Sequence, residues 1–187
     1  MFHVFTLKTN KNALVKIYDV PVFYFPKFFH PGPSVKRQSG LLSPSINNSQ
    51  TLGSSIQIPY YIAISDNKDF TFTPTIFDKN IYKFQNEYRQ KNKYSSFIAD
   101  FSFTEGYQSI KSKDKNSITH LFAKYDTQLN FDSYNNSNLN ISIQKVSNDT
   151  YLKVFDQNIA KSEIKPQNLD VLKSEIKLSL NHDKYEL

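Results

Sequence analysis

After Gly40, hydrophobic and polar residues alternate almost one by one along the chain. In the cleanest stretch, Asp69 to Phe77, residues Phe70, Phe72, Pro74 and Ile76 fall on one face, and Asp69, Thr71, Thr73 and Thr75 on the other. A two-residue period marks a β-strand, because successive strand side chains point to opposite sides. The same rhythm sets Tyr82, Phe84 and Tyr88 against Lys83, Gln85, Glu87 and Arg89. It sets Phe97, Ala99, Phe101 and Phe103 against Ser96, Asp100, Ser102 and Thr104, then Leu121, Ala123 and Tyr125 against His120, Lys124 and Asp126. Leu139, Ile141 and Ile143 oppose Asn138, Asn140, Ser142 and Gln144, and Leu172, Ile176, Leu178 and Leu180 oppose Lys173, Glu175, Lys177 and Ser179. Ile98 and Phe122 break the pattern. The connectors are polar: Ser65–Lys68, Ser109–Ser117, the Asn-rich Asp132–Ser137, and the long stretch Asp156–Asn168. No segment predicts a helix of convincing length.

The first 29 residues read as shorter strands: one opened by Phe2, Val4 and Phe5, one over Ala13–Tyr18, and an aromatic one over Val22–Phe29. Pro21, Pro26, Pro31 and Pro33 punctuate this part, which therefore holds edges, turns or a connector. His30 to Ser34 (HPGPS) reads as a linker.

Two all-β structures give such alternation. A soluble sandwich turns its apolar face inward and its polar face to water. A transmembrane barrel turns its apolar face to lipid and its polar face to the lumen. The segments match the roughly 9–11 residues that a tilted strand needs to cross lipid, rather than the five or six or so of a typical soluble strand. Rings near strand ends (Tyr60, Tyr61, Tyr82, Tyr88, Tyr94, Tyr107 and Tyr125) suit an interfacial girdle. About eight strands follow Gly40, enough to close a small barrel or to begin a larger one.

Composition agrees with β-structure. Only 39% of the 187 residues are apolar, yet 16 Phe and 12 Tyr make 15% of the chain aromatic, and strands favour such rings. The net charge of +6 comes from scattered Lys and Arg, a distribution that points away from nucleic acid as a partner. There is no cysteine, which removes disulfides and thiolate metal sites. No run of about 18 apolar residues predicts a transmembrane helix. Met1-Phe2-His3-Val4-Phe5 lacks the features of a signal peptide, so an exported protein with this sequence would have to be a fragment.

Candidate chemistry is sparse. His3, His30, His120 and His182 show no metal-ligand spacing. Glu87, Asp100, Glu105 and Asp126 read as charges solvating a wet face. The four glycines are isolated, so no phosphate-binding loop exists, and no serine-nucleophile motif appears. The expectation is a chain that is not an enzyme and needs no cofactor. The basic pair Lys36-Arg37 reads as a solvated connector or as a lipid-phosphate contact. Pro44 and Pro59 lie in or beside neighbouring strands. A proline there deletes a ladder hydrogen bond, so the two read either as strand-end punctuation or as an edge built to part.

Four stretches then resemble one family. Tyr18–Pro33 (YDVPVFYFPKFFHPGP), Val35–Pro44 (VKRQSGLLSP), Ile56–Pro74 (IQIPYYIAISDNKDFTFTP) and Asn86–Arg89 (NEYR) follow in the order of the LptD family, the lipopolysaccharide-assembly proteins of the Gram-negative outer membrane. The resemblance is good over about residues 18–105 and fades into generic strands beyond. It implies an all-β fragment of the cell outer membrane. Residues 1–34 would be the end of a periplasmic β-jellyroll with its linker, and residues 35–187 the first antiparallel strands of an incomplete barrel. It implies lipopolysaccharide and outer-membrane lipids as ligands, an LptE-like plug lipoprotein and an LptA-like periplasmic bridge protein as partners, and lateral exit through a barrel seam. By motif position the seam prolines are Pro44 and Pro59. Phe23, Tyr24, Phe25, Phe28 and Phe29, with Lys36 and Arg37, would line the lipid path near the junction. The family's disulfide cysteines have no counterpart here. Another outer-membrane pore and a soluble β-sandwich binding module are the alternatives.

Overall fold

The computed structural model describes residues 8–17, 20–30, 37–107, 116–159, 162–182 and 185–186, with side chains from Arg37 onward except at 116 and 185–186. The chain forms two compact units, Met1–Gln38 and Ser39–Leu187. The first contains an antiparallel pair, β1 (Lys8–Ile17) and β2 (Val20–His30), in which Ala13 faces Phe25 and Val15 faces Phe23. The register slips between Val15 and Lys16. The expected strand around Phe2–Phe5 lies outside the described residues.

The second unit is one antiparallel sheet. Its strands are β3 (Gly40–Leu41), β4 (Ser45–Ser49), β5 (Gly53–Gln57), β6 (Tyr60–Ser65), β7 (Lys68–Phe77) and β8 (Tyr82–Lys91), then β9 (Ser95–Tyr107), β10 (Asn116–Gln128), β11 (Asn136–Val146), β12 (Glu175–His182) and β13 (Tyr185–Glu186). From β7 to β12 each strand pairs with its sequence neighbour. From Ser55 to Ala63, β5 and β6 pair with β7 in a single register, so they are one lane interrupted at Ile58-Pro59. β3 and β4 likewise make one lane, interrupted at Leu42–Pro44. Among the described residues this gives eight lanes (β3/β4, β5/β6 and β7 to β12), with the two-residue β13 beyond the last.

The two faces of the sheet are inverted relative to a soluble protein. On one face the apolar set is bare: Ile76, Tyr82, Phe84, Phe101, Leu121, Ile143 and Leu178 are all exposed. Neighbouring rings pack across strands there, as with Phe72 on Phe84 (6.2 Å between centroids) and the row Tyr88, Phe97, Tyr125 (6.1 and 6.5 Å). On the other face the polar set is buried: Asp69, Thr73, Thr75, Lys83, Gln85, Asp100, Ser102, Thr104 and His120. A sandwich requires the reverse. A wide exposed apolar face with polar residues turned inward suits lipid as the outer solvent.

The polar face is covered by the connection between β11 and β12. It starts with an Asx turn, in which Asn148 Oδ1 accepts from the Thr150 N–H at 2.9 Å. It then forms α1 (Tyr151–Phe155) and a 3-10 turn (Asp156–Asn158). Tyr151, Leu152, Phe155 and Ile159 recur at helical spacing and face the sheet. With Ile164 they meet Leu52, Phe77, Ile81, Tyr107, Ile118 and Phe122 in one apolar core. Phe155 sits at its centre, 5.5 Å from Tyr107 and 6.1 Å from Phe77 between ring centroids. Gly106 holds the adjoining end of β9 at φ +82°, where a Cβ would come within 2.3 Å of the Asn80 carbonyl oxygen, so no other residue fits there.

Several expectations need correction. Tyr107 is not in an interfacial girdle; it is buried against Phe155 in the inner core. Tyr61 follows the exposed Tyr60 on the strand and so takes the opposite face. The stretch 156–168, expected as a polar connector, is in part buried: Asn158, Ile159, Ile164 and Pro166 are all covered. Ile98 and Phe122, the breaks in the alternation, have a cause: both face the connection and pack into its core.

Candidate functional site: a proline-broken edge tied to a buried polar network

The β3/β4 lane is one edge of the sheet, and prolines interrupt it and the lane beside it. Leu42 N–H donates to the Pro59 carbonyl at 2.9 Å. In an antiparallel pair of this kind the partner returns a second bond, but Pro59 has no N–H to give. Ile58 N–H donates to the Pro74 carbonyl at 3.1 Å, and Pro74 cannot reciprocate either. Between Leu41, which faces Tyr60, and Ser45, which faces Gln57, three residues oppose two. That mismatch is a β-bulge, and Pro44 is its last residue. The outer ladder thus carries seven paired positions, two on β3 and five on β4, against nine between β7 and β8. Pro74 was not singled out by its sequence, although it falls on the same level as Ile58-Pro59.

Beneath this edge runs a buried hydrogen-bonded network. Ser45 Oγ donates to Gln57 Oε1 at 2.9 Å. Gln57 Nε2 donates to the Asn158 carbonyl at 2.8 Å, and Asn158 Nδ2 donates to Ser55 Oγ at 2.8 Å. The Asn158 carbonyl also accepts from Lys83 Nζ at 2.8 Å. Lys83 Nζ reaches Gln85 Oε1 at 2.8 Å, and Gln85 Nε2 donates to Asp100 Oδ2 at 2.7 Å. His120 Nε2 lies 3.1 Å from Asp100 Oδ1. His120 Nδ1 lies 2.8 Å from Ser102 Oγ and 2.6 Å from Tyr151 OH, with Ser102 and Tyr151 themselves 2.7 Å apart. Charge burial is costly unless the charge is paired and hydrogen-bonded. Here the Gln85 amide stands between Lys83 and Asp100, its oxygen toward the amine and its nitrogen toward the carboxylate.

Asp100, His120 and Ser102 are linked in the order of a serine-nucleophile triad but with the imidazole reversed, Nε2 toward the carboxylate and Nδ1 toward the hydroxyl. Ser102 and Asp100 are fully buried, and Tyr151 OH lies 2.7 Å from Ser102 Oγ. An open recess of about 320 Å³ lies elsewhere, between Lys91–Ser96 and Asp126–Asn140. The trio therefore acts as a pin between sheet and connection. Burial pushes the Tyr151 phenol above its ordinary value, so it remains a neutral member of the network.

The other singled-out residues fall as follows. Asp100 is not a charge on a wet face; it is sealed in the network. Asp69 binds Arg89 at 2.7 Å, Glu87 binds Arg89 at 3.4 Å, and Asp126 binds Lys124 at 3.2 Å, while Glu105 is exposed. Arg37 is exposed, and Lys36 lies outside the described residues. Phe23, Tyr24, Phe25, Phe28 and Phe29 are on β2, whose side chains are not among those described. Among the described residues no group of three His, Cys, Asp or Glu gathers to hold a metal ion.

Comparison with known proteins joins these features to one family. The family described as LptD protein matches residues 10–186. The LPS-assembly protein LptD of Pseudoalteromonas translucida (strain TAC 125) is 34% identical over 152 residues, 80% of this chain and 19% of that protein. Its counterpart in Polaromonas sp. (strain JS666) is 30% identical over 76% of this chain and 17% of its own length. The counterpart in Shewanella sp. (strain MR-4) is 46% identical over 63 residues, 34% of this chain. The chain thus spans less than a fifth of the length of the first two relatives. Since the family match runs through both the proline-broken edge and the strands that carry the buried network, the chain belongs to the LptD protein family.

Proposed function

We propose that this chain is the junction and opening-strand segment of an outer-membrane lipopolysaccharide-assembly protein. In this reading residues 1–34 end a periplasmic jellyroll, and residues 35–187 begin a lipid-spanning barrel. Lipopolysaccharide leaves sideways through the seam bordered by β3/β4. No bond is made or broken; the protein offers a path. The observation that carries the reading is the inverted sheet, apolar where it is bare and polar where it is sealed. The family membership and the relatives' names support the choice of lipid. Pro44 and Pro59 weaken the seam by withholding ladder donors. Phe23, Tyr24, Phe25, Phe28 and Phe29 line the acyl path at the junction, and Lys36 and Arg37 meet lipid phosphates. An LptE-like lipoprotein plugs the lumen, and an LptA-like bridge delivers the lipid from the periplasm.

The experiment is substitution of both Pro44 and Pro59 by Ala in the full-length protein. Two regained N–H donors strengthen the edge ladder, and lipopolysaccharide at the cell surface falls. Unchanged surface lipopolysaccharide with normal protein levels removes the seam from the reading.

A further inference from the structure

The connection between β11 and β12 is held to the sheet at two places of different character. At Tyr151 it is bonded to Ser102 and His120, on the central strands β9 and β10. At Asn158 it reaches back across the sheet to Ser55 and Gln57 on β5, in the lane next to the edge. The second attachment continues outward, since Gln57 Oε1 accepts a hydrogen bond from the Ser45 hydroxyl and Ser55 Oγ lies 3.5 Å from the Asn47 carbonyl. Both Ser45 and Asn47 are on the edge strand β4. Asn158 is also joined to the central block, through Lys83 to Gln85 and Asp100.

This arrangement makes Asn158 a node between two bodies. On one side is the β4–β5 hairpin, joined to β7 through only three paired positions, Ser55 to Gln57, with the proline break directly after them. On the other is the block β7–β10, where neighbouring strands share nine or more paired positions. Asn158 is 1% exposed. Its side-chain amide therefore has no water to replace Ser55 when the hairpin moves, and a buried polar group left unpaired is costly, while its carbonyl loses Gln57 and keeps Lys83. The hairpin's short ladder to β7 is thus supplemented at Asn158, beside the contacts that hold its turn: Asp78 Oδ2 accepts from the Ser54 N–H at 3.0 Å, Lys79 Nζ donates to the Thr51 carbonyl at 2.9 Å, and Leu52 is buried in the apolar core.

We propose that Asn158 is a catch that fixes the β4–β5 hairpin to the central strands, so that the edge parts only when the bonds of Asn158 to Ser55 and Gln57 break. The function of the catch rests on reading this edge as the seam for lipid exit; its structural action does not. Asn158 is a positioning residue in this scheme and touches no lipid.

The test is amide hydrogen exchange on the full-length protein in outer-membrane vesicles, comparing the natural sequence with Asn158→Ala, Gln57→Ala and Ser55→Ala. The catch predicts that exchange over residues 45–57 rises about five-fold or more in Asn158→Ala and Gln57→Ala, while residues 82–107 and 116–128 keep their protection. Ser55→Ala removes the acceptor of the Asn158 amide together with the long 3.5 Å contact to the Asn47 carbonyl and leaves the backbone ladder in place, so it reports even if the other variants fold poorly. It should raise exchange over the same residues, and adding Asn158→Ala to it should add little, because both remove one bond. Unchanged exchange over 45–57 in Ser55→Ala overturns the proposal, as does an equal rise in all strands. A local rise with no effect of the Pro44 and Pro59 variants on surface lipopolysaccharide keeps the catch and rejects the seam.

Discussion

Ile58 gives its N–H to the carbonyl of Pro74 at 3.1 Å, and Pro74 has none to return. One lane further out, Leu42 and Pro59 repeat the relationship at 2.9 Å. The second lane of the sheet is therefore one hydrogen bond short toward each neighbour, at the same level along its length. Weakness at this level is a property of two ladders, and three prolines contribute to it.

The first prediction follows from Pro74. Its ring lies on the bare face within β7, paired with Phe84, and its backbone already has strand geometry that alanine adopts freely. Pro74→Ala should restore the missing bond to the Ile58 carbonyl. Amide exchange around residues 58–60 in the full-length protein should slow by about three- to ten-fold, the effect of one net hydrogen bond. Exchange that stays the same would mean that the gap at Ile58 is held open by something other than a missing donor.

Strand identity and facing were legible in the sequence because lipid-type and lumen-type residues alternate with the period of the pleat. What covers the polar face was not, because Asn148 to Asn168 is rich in polar residues and spans only one short helix. A signal was present: Tyr151, Leu152, Phe155 and Ile159 stand at i, i+1, i+4 and i+8, and Ile98 and Phe122 break the strand rhythm where those residues press. Read together, the two irregularities locate the contact. Asp100 was misjudged because alternation tells which face a residue takes and says nothing of whether water or a folded connection lies over it. Tyr107 was misjudged because the register shift beside Gly106 turns it to the face opposite Phe101.

A second prediction separates the faces. Phe101 is 45% exposed on the bare side of β9, far from either end of the strand. In lipid vesicles Phe101→Arg should destabilise the full-length protein by about 2–4 kcal/mol, the cost of a guanidinium near the bilayer midplane. Asn138→Lys, in the polar recess beside Asp126, should cost little, since the charge there meets water and a carboxylate. Denaturant unfolding in vesicles measures both. Equal costs at the two sites would show that the bare face does not meet lipid.

The last prediction concerns alkaline pH. Burial is the largest reason that the Tyr151 phenol titrates above its ordinary value of 10.0. The nearby Asp100 charge adds to the effect, while the Ser102 hydrogen bond opposes it. The unfolded chain then loses its proton first. Below about pH 10 neither state is ionised, and the contribution of Tyr151 to stability is fully present. As the pH rises through 10 the unfolded state gains from ionisation and the folded state does not, so stability declines with each further pH unit. Tyr151→Phe keeps the ring against Phe155 and His120 and removes the ionisable group. It should cost roughly 1–2 kcal/mol near pH 7 through the lost bonds to Ser102 and His120. Its stability should also fall less steeply than that of the natural sequence above pH 10. Chemical unfolding of both proteins between pH 7 and pH 11 measures the difference, and parallel curves across that range would show that the phenol is reached by water in the folded state.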